Sequence, residues 1–384
     1  MRKPELWFAA LAALFATAPA RADVLTGGGN PACAAAAAYS DAHRGIGILV
    51  MRDGGVVCEA YADPAERDRP HAIHSGTKSF TGAMAVLAEA DGLLQLDEPV
   101  SRTIPEWAND DRRTITIRQL LSLVSGIATP VGVPPSFSAA IALTPGAAPG
   151  TRFSYGPAPF QIFGEVMRRK LVAHGEDGDP SAWLRRRLLV PLGIEVGSWR
   201  RTASGDPMLS QGMMLTAANW ARFGEWVRLG GRAGGRQIIP EAELDAFHQG
   251  STVFAGYGLT WWLPGRLVTL PPDRSPTRFE TRLDYAGATF IPADLIMAGG
   301  AGGQRLYVSR SCRVTIVRLA RFDLAAALRA RRDRNGNLVR GQGVEDGTGR
   351  ASDGTVWSDR EFLRNALRAA LANQPSTAVE GCSQ

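Results

Sequence analysis

The hydrophobic period changes three times along this chain, and that limits its fold more than any other feature. GIGILVMRDGGVVCEAYA (45–62) is two apolar runs joined through Asp-Gly, a pair that turns hairpins. A polar loop follows over 63–73. Apolar residues then recur at helical spacing at Phe80, Ala83, Met84, Leu87 and Ala88, and Gly92 is placed to end the helix. TITIRQLLSLVSG (114–126) predicts a short helix, APFQIFGEVMRRKLVAHG (158–175) a longer one, and TAANWARFGEWVRLGG (216–231) another. DPSAWLRRRLLVPLGI (179–194) reads as a helix opened by Asp-Pro, because proline is tolerated in a first turn. Strand patterns return in GYGLTWWL (256–263) and in AGGAGGQRLYVSRSCRVTIVRLA (298–320), a glycine-rich turn followed by a strand hairpin. SDREFLRNALRAALAN (358–373) is a last helix. This order predicts an α/β (α+β) protein, with an antiparallel sheet built from both ends of the chain, flanked by helices, and an all-helical region inserted. The sheet region is expected over about 40–73 and 250–384 and the helical region over about 74–249, within a single domain of 23–384. The Pro/Ala/Gly-rich stretch 128–150 reads as a long loop. Segments 267–290 and 330–357 read as surface loops or as the roof of a cleft.

The first residues belong to a different pattern. Met1-Arg2-Lys3 leads into LWFAALAALFATAPARA (6–22), an apolar run with a small-x-small end at Ala20 and Ala22. This reads as a secretory signal peptide over 1–22, and the apolar run is short for a membrane span. The mature N-terminus is expected at Asp23, in the periplasm or outside the cell, with no stable membrane insertion after cleavage. N-terminal sequencing of the native protein checks this, and Met1 recovered from soluble cytoplasm would overturn it. Losing Arg2, Lys3, Arg21 and Glu5 lowers the formal net charge of +6 by two. The arginine runs at 168–170 and 185–187 lie in amphipathic helical patterns, and no aromatic residues alternate with a basic stripe, so no nucleic-acid partner is expected. Cys33, Cys58, Cys312 and Cys382 contain no Cys-x-x-Cys, which argues against a metal site. In an oxidising compartment they allow three pairings. The sequence does not choose among them, although a bridge near each end would close each terminal segment onto a strand.

Lysine is the scarce residue. The chain has forty arginines and three lysines, and Lys78 stands three places after Ser75 where a hydrophobic helix begins. Residues three apart share a helix face, so the serine hydroxyl and the lysine amine would meet there. A hydroxyl becomes a useful nucleophile when a neighbouring base takes its proton, and a buried lysine can be that base. Ser-x-x-Lys alone is a common accident. The familiar alternatives are nonetheless absent: there is no Gly-x-Ser-x-Gly, no nucleotide-binding glycine fingerprint after a strand and no His-Glu-x-x-His. Of the five histidines only His74 adjoins the serine, either tuning it or simply packing.

HSGTKSFTG (74–82), LLQLDEPV (93–100), TIRQLLSLVSGI (116–127), PGTRFSYG (149–156), QGMMLTAANWARFG (211–224) and AGGAGGQRLYV (298–308) follow one another in an order that resembles the serine β-lactamase and penicillin-recognising family. The likeness is to the branch holding class C β-lactamases, related esterases and hydrolases of 6-aminohexanoate oligomers. It covers roughly residues 45 to 373 and implies a β-lactamase/DD-peptidase-like fold. The resemblance adds Tyr155, at the tyrosine of the family's Tyr-x-Asn motif, as a third catalytic residue beside Ser75 and Lys78. The asparagine place is Pro157, which has no amide. The third motif falls on Ala298-Gly299-Gly300, so Gly299 and Gly300 would line the substrate. The backbone N–H groups of Ser75 and Ala301 would form an oxyanion hole. Ala298 stands where the family has a basic residue that holds a carboxylate, and Arg305 nearby is left open as its substitute. Trp261 and Trp262 with the 128–150 loop suggest an apolar wall. The implied function is a secreted serine hydrolase that cleaves a small ester or amide through an acyl-enzyme on Ser75, with no cofactor and no metal. A β-lactamase or D-alanyl-D-alanine peptidase is the enzymatic alternative, and a non-catalytic binding or sensor relative is the other.

Overall fold

The computed structural model describes residues 23–26, 29–130, 132–269, 285–322, 357–372 and 382. The expected signal peptide, most of segment 267–290 and nearly all of 330–357 lie outside the described residues.

The hairpin of 45–62 forms as its sequence dictates. Strands β2 (Gly45–Arg52) and β3 (Gly55–Tyr61) are joined at Asp53 and Gly54, with φ of 51° and 81°, the positive values that a tight two-residue turn requires. They lie in a six-stranded antiparallel sheet with β1 (Asp23–Thr26), β9 (Ile296–Gly300), β10 (Gln304–Ser309) and β11 (Val314–Ala320), in the order β1-β3-β2-β11-β10-β9. The pairing of β2 with β11, from Arg52 opposite Val314 to Gly45 opposite Ala320, joins the two ends of the chain. The sheet built from both ends is therefore present.

Alternation along β10 divides the flanking layers. Arg305 and Tyr307 face helix α9 (Asp359–Leu371), which packs beside α1 (Pro31–Ala42). Leu306 and Val308 face helix α7 (Ala217–Arg228), where Gly224 leaves room for them. Caps explain several helix starts. Asn30 accepts from Ala32 and Cys33 at α1, Thr116 and Gln119 form a reciprocal capping box at α3 (Ile117–Leu121), and Asp179 with Pro180 opens α6 (Pro180–Leu184). Helix α2 (Thr77–Ala90) is buried from Thr77 to Ala88 and stacks Phe80 on Phe223 of α7 at 3.9 Å. Helices α4 (Phe137–Ile141) and α5 (Ala158–Ala173) complete the far side of the middle region.

That region is not purely helical. It carries β5 (Ser198–Trp199) and β6 (Met213–Leu215), which join β4 (His71–Ala72) in a small sheet, and the hairpin of β7 (Arg232–Ala233) and β8 (Arg236–Gln237). The long loop over 128–150 contains α4, and the helix expected over 179–194 is α6 followed by one π-turn over Arg185–Leu189. The strand expected over 256–263 is a correction. Thr260 has φ 68°, and the chain folds back so that the Gly258 N–H donates to the Trp261 carbonyl at 2.8 Å. Only Trp262 reaches the sheet, through one bridge to Met297. Residues 264–267 form the short helix α8 (Pro264–Leu267).

Two disulfides join Cys33 to Cys58 and Cys312 to Cys382, one near each end. Closing loops of 25 and 70 residues restricts the unfolded chain by about 3–4 kcal/mol each on the loop-entropy view. No described helix is long and apolar enough to cross a membrane.

Candidate active site

Ser75 lies in a short 3₁₀ turn, His74–Gly76, that feeds directly into α2. His74 has φ 47°, a left-handed conformation that costs about 1–2 kcal/mol in a residue with a Cβ. Its ring packs edge-on against Phe322 at 5.0 Å. Burial, and secondarily the charge of Arg200, pushes its pKa down to about 4, so His74 is neutral near pH 7. A Cβ at Gly76 would stand 2.6 Å from the Trp220 ring, so the turn sits directly on that indole.

Lys78 is where the helix spacing puts it. Its Nζ donates to Ser75 Oγ at 2.8 Å and to the Ser210 carbonyl at 3.0 Å. It also lies 4.8 Å from the centroid of the Tyr155 ring and 5.2 Å from that of Phe160. The side chain is buried, and this desolvation lowers its pKa to about 7. A substantial fraction of Lys78 is then a neutral amine at neutral pH, with a lone pair beside the serine hydroxyl.

Tyr155 arrives from the opposite wall on the loop before α5. That loop is tied to residues 123–129: Ser154 N–H donates to the Leu123 carbonyl at 2.8 Å and Ala158 N–H to Thr129 Oγ1 at 3.3 Å. A Cβ at Gly156 would be 2.5 Å from the Thr129 carbonyl, so only glycine lets the loop lie this close. Burial pushes the Tyr155 phenol up to about 12, against the opposing pull of its hydrogen bond with Ser75 and the charge of Arg305. The phenol therefore keeps its proton at neutral pH. Its ring stacks on Trp262 at 5.5 Å and 27°. Ser75, Lys78 and Tyr155 are thus brought together from two separate elements. Pro157 is buried at the cap of α5 and presents neither an N–H nor a polar side chain.

The third side of the site is the end of β9. A Cβ on Gly300 would stand 2.1 Å from the Ile73 carbonyl, so glycine there allows the strand to press against the chain just before Ser75. Ala301 follows at the turn into β10. Gly299 pairs with Arg305 and has Trp262 beside it, while Ala298 is buried. Arg305 is the candidate substitute for the missing basic residue. Its Nε and Nη2 donate to Asp359 at 2.6 and 3.0 Å, so its charge is already matched by a buried carboxylate.

Some functional neighbours carry no sequence signal. The segment 209–213 is fastened to α2. Thr77 Oγ1 accepts from Gly212 and Met213 N–H at 3.1 and 3.2 Å, and Thr81 Oγ1 donates to the Leu209 carbonyl at 2.6 Å. This holds the Ser210 carbonyl against Lys78. A backbone acceptor leaves no mark in a sequence, although the segment runs into the block that starts at Gln211. Trp262 was expected as part of an apolar wall and is the residue bridging Tyr155 and β9. Trp261 instead lies in the core, stacked near Phe223.

A family model described as Beta-lactamase matches residues 30–340. Among curated proteins, the protein flp of Staphylococcus aureus (strain NCTC 8325 / PS 47) is 34% identical over 94 residues, covering 22% of this chain and 19% of that protein. The match thus spans about a fifth of that relative's length. A family VIII carboxylesterase aligns with a TM-score of 0.60 at 14% identity, over 90% of this chain and 100% of its own. The D-alanine carboxypeptidase AmpC of Burkholderia cenocepacia aligns with a TM-score of 0.53 at 19% identity, over 86% of this chain and 94% of its own. At these identities the two structures speak to the fold alone.

Proposed function

The chain belongs to the beta-lactamase family, a family of serine hydrolases, and from that premise we propose that it cleaves a small ester or amide through an acyl-enzyme on Ser75. The observation that carries this reading is the 2.8 Å contact between Ser75 Oγ and the Nζ of Lys78, a lysine whose pKa burial has brought to about 7. Neutral Lys78 takes the Ser75 proton as Oγ attacks the substrate carbonyl. The resulting oxyanion lies between the N–H groups of Ser75 and Ala301. As the intermediate collapses, the Tyr155 hydroxyl passes a proton to the leaving group and recovers one from the Lys78 ammonium. Water then attacks the acyl group with the same pair acting in reverse. The leader-like pattern of residues 1–22 and the two disulfides support a periplasmic or secreted location for this chemistry.

The substrate class follows from what the third motif lacks. Ala298 offers no charge for a carboxylate, Pro157 offers no amide, and Arg305 is matched by Asp359. Beside the trio stands an aromatic wall in which Trp262 stacks on Tyr155 and meets Tyr257 edge-on at 4.9 Å. An uncharged acyl ester or small amide suits these surroundings better than an anionic β-lactam. The reading as a β-lactamase or D-alanyl peptidase draws on one observation, that the charge of Arg305 is felt at Tyr155.

The test is a panel of p-nitrophenyl esters, short linear amides, nitrocefin and D-alanyl peptides on one preparation, with Ser75→Ala alongside. One missing charge-assisted contact is worth about 1.5–3 kcal/mol, so kcat/KM for the best short-chain ester is expected to exceed that for nitrocefin by about tenfold or more. Equal or greater efficiency on nitrocefin would overturn the substrate assignment. Intact mass after fluorophosphonate and penicillin treatment separates the remaining readings. Labelling by the first alone supports an esterase, and labelling by neither supports a binding or sensor relative.

A further inference from the structure

Residues 298–303, Ala-Gly-Gly-Ala-Gly-Gly, carry the Ala301 N–H on backbone that is almost all glycine. Gly302 and Gly303 have φ of 80° and 77°. Glycine is the residue least able to fix its own conformation, so a peptide plane in this run has to be oriented from outside. Two buried arginines reach it. Arg305 Nη1 donates to the carbonyls of Gly300 and Gln304, each at 3.0 Å, while Nε and Nη2 are bound by Asp359. Arg318 Nη1 donates to the Gly303 carbonyl at 2.8 Å.

The Gly300 carbonyl and the Ala301 N–H belong to one peptide unit. That unit is planar and trans, so its C=O and N–H point in opposite directions. A donor fixed on the carbonyl side sets the direction of the N–H on the other. A cation there also polarises the amide and strengthens the N–H as a donor to a developing anion. Asp359, in the first turn of α9, holds the guanidinium and accepts from Tyr307 as well. Arg305 is buried, and its Nε, Nη1 and Nη2 all have protein partners, so substrate binding is not what keeps it there.

We propose that Arg305 is a positioning residue for the oxyanion hole, acting through the Gly300–Ala301 peptide. The proposal rests on Ser75 as nucleophile and on the Ala301 N–H as oxyanion donor.

Arg305→Met alone would leave Asp359 as an unpaired buried charge and could unfold the protein. The test therefore uses the double variant Arg305→Met/Asp359→Asn, which removes both charges and leaves Tyr307 an acceptor. Arg305→Lys keeps a cation without the second arm of the fork, and Asp359→Asn keeps the arginine. The measurements are kcat and KM on one p-nitrophenyl ester, inhibition by phenylboronic acid, and thermal melts. Phenylboronic acid is chosen because its tetrahedral adduct on Ser75 places an oxygen in the hole. The folded double variant is expected to lose about 10²-fold in kcat, the usual worth of one oxyanion donor, with KM within about threefold. Its boronate inhibition constant should rise in parallel, and the pH midpoint of kcat/KM should stay that of the wild type. Arg305→Lys is expected to lose about tenfold, since a compact ammonium cannot span Asp359 and the Gly300 carbonyl as the planar fork does. Asp359→Asn should melt lower and keep kcat within about threefold, the arginine remaining on Gly300. Wild-type kcat and boronate affinity in the folded double variant or in Arg305→Lys would overturn the proposal, as would an effect on KM alone. A folded Asp359→Asn as impaired as the double would assign the loss to α9 and overturn it too. If the boronate fails to inhibit wild type, or still binds Ser75→Ala, the underlying assignment of nucleophile and hole falls instead.

Discussion

Ser75→Ala should abolish the covalent adduct with fluorophosphonate and lower kcat/KM on the best ester by about 10⁴-fold or more, the scale on which removing a serine nucleophile acts elsewhere. The substitution is well suited to isolate chemistry from folding. Ser75 is half-buried, alanine is the smaller residue, and the backbone N–H assigned to the oxyanion hole is kept. Lys78 keeps its bond to the Ser210 carbonyl, so the amine remains anchored. The melting temperature is expected to move by only a few degrees, as is usual for a loss of about 1 kcal/mol or less. Residual turnover would come from the oxyanion donors and substrate positioning alone. Near-wild-type hydrolysis in a folded Ser75→Ala would end the covalent scheme.

The second large effect concerns Lys78 and Tyr155. Lys78→Met and Tyr155→Phe should each reduce kcat/KM by roughly 10²–10⁴, the worth of positioned acid–base help. The double variant should be little worse than the poorer single, because the two groups hand on one proton. Lys78→Arg should not rescue, since a guanidinium does not give up its proton at neutral pH and its planar fork does not fit the site of an ammonium. In wild type, kcat/KM should rise with pH through about 7, as Lys78 loses its proton. Stability should follow the same titration. Lys78 has a folded pKa of about 7 against 10.5 unfolded. Above 10.5 neither state holds the proton, and below 7 both do. Between these values the unfolded state alone is protonated, so stability falls as pH drops and the desolvation cost is fully expressed below 7. Lys78→Met removes up to about 5 kcal/mol of that cost, at 1.36 kcal/mol per unit, and gives back about 1–3 kcal/mol by leaving the Ser210 carbonyl without its donor. The inactive variant should therefore melt higher than wild type at pH 6, with the advantage shrinking toward pH 10. Rates across pH for both singles and the double, with melts at each pH, check this. Activity near wild type in a folded Tyr155→Phe would leave Lys78 as the sole base. A Lys78→Met protein that is less stable at pH 6 than at pH 9, relative to wild type, would contradict the depressed lysine.

The elements that the sequence revealed are those with a local cause. Asp53-Gly54 turns the hairpin, Phe80 to Ala88 repeat at one helical face, and Ser75 and Lys78 need only the helix between them. Tyr155 required the order of the family's blocks, because nothing local tells a tyrosine on a loop that it faces a lysine. Residues 256–263 misled because their aromatic and β-branched content fits a strand, while the positive φ of Thr260 is imposed by tertiary packing. Gly82 is part of that packing: a Cβ there would stand 2.1 Å from Thr260 Oγ1. The partner of Arg305 lies on the last helix, and no spacing rule connects residues 305 and 359. The choice among three cysteine pairings needed the placement of α1 beside β3, which only the folded sheet supplies.

The junction of β2 with β11 also governs when the molecule can be completed. In a chain that emerges N-terminus first, β1, β3 and β2 can associate early, and Cys33 and Cys58 are both available to each other. The outer edge of β2, apolar along Gly45–Val50, then waits for residues 314–320. Until those arrive it is an open strand edge, able to pair with another chain. Helices α2, α5 and α7 can form meanwhile, but the Ser75 turn has no β9 to rest against, so the proposed catalytic centre cannot assemble before the sheet closes. The second disulfide waits longer still, because Cys382 follows both β11 and α9 in the chain. Maturation is thus ordered by chain position: the first crosslink can form on a partial molecule, the proposed site requires the strands after residue 296, and the second crosslink seals what has already closed.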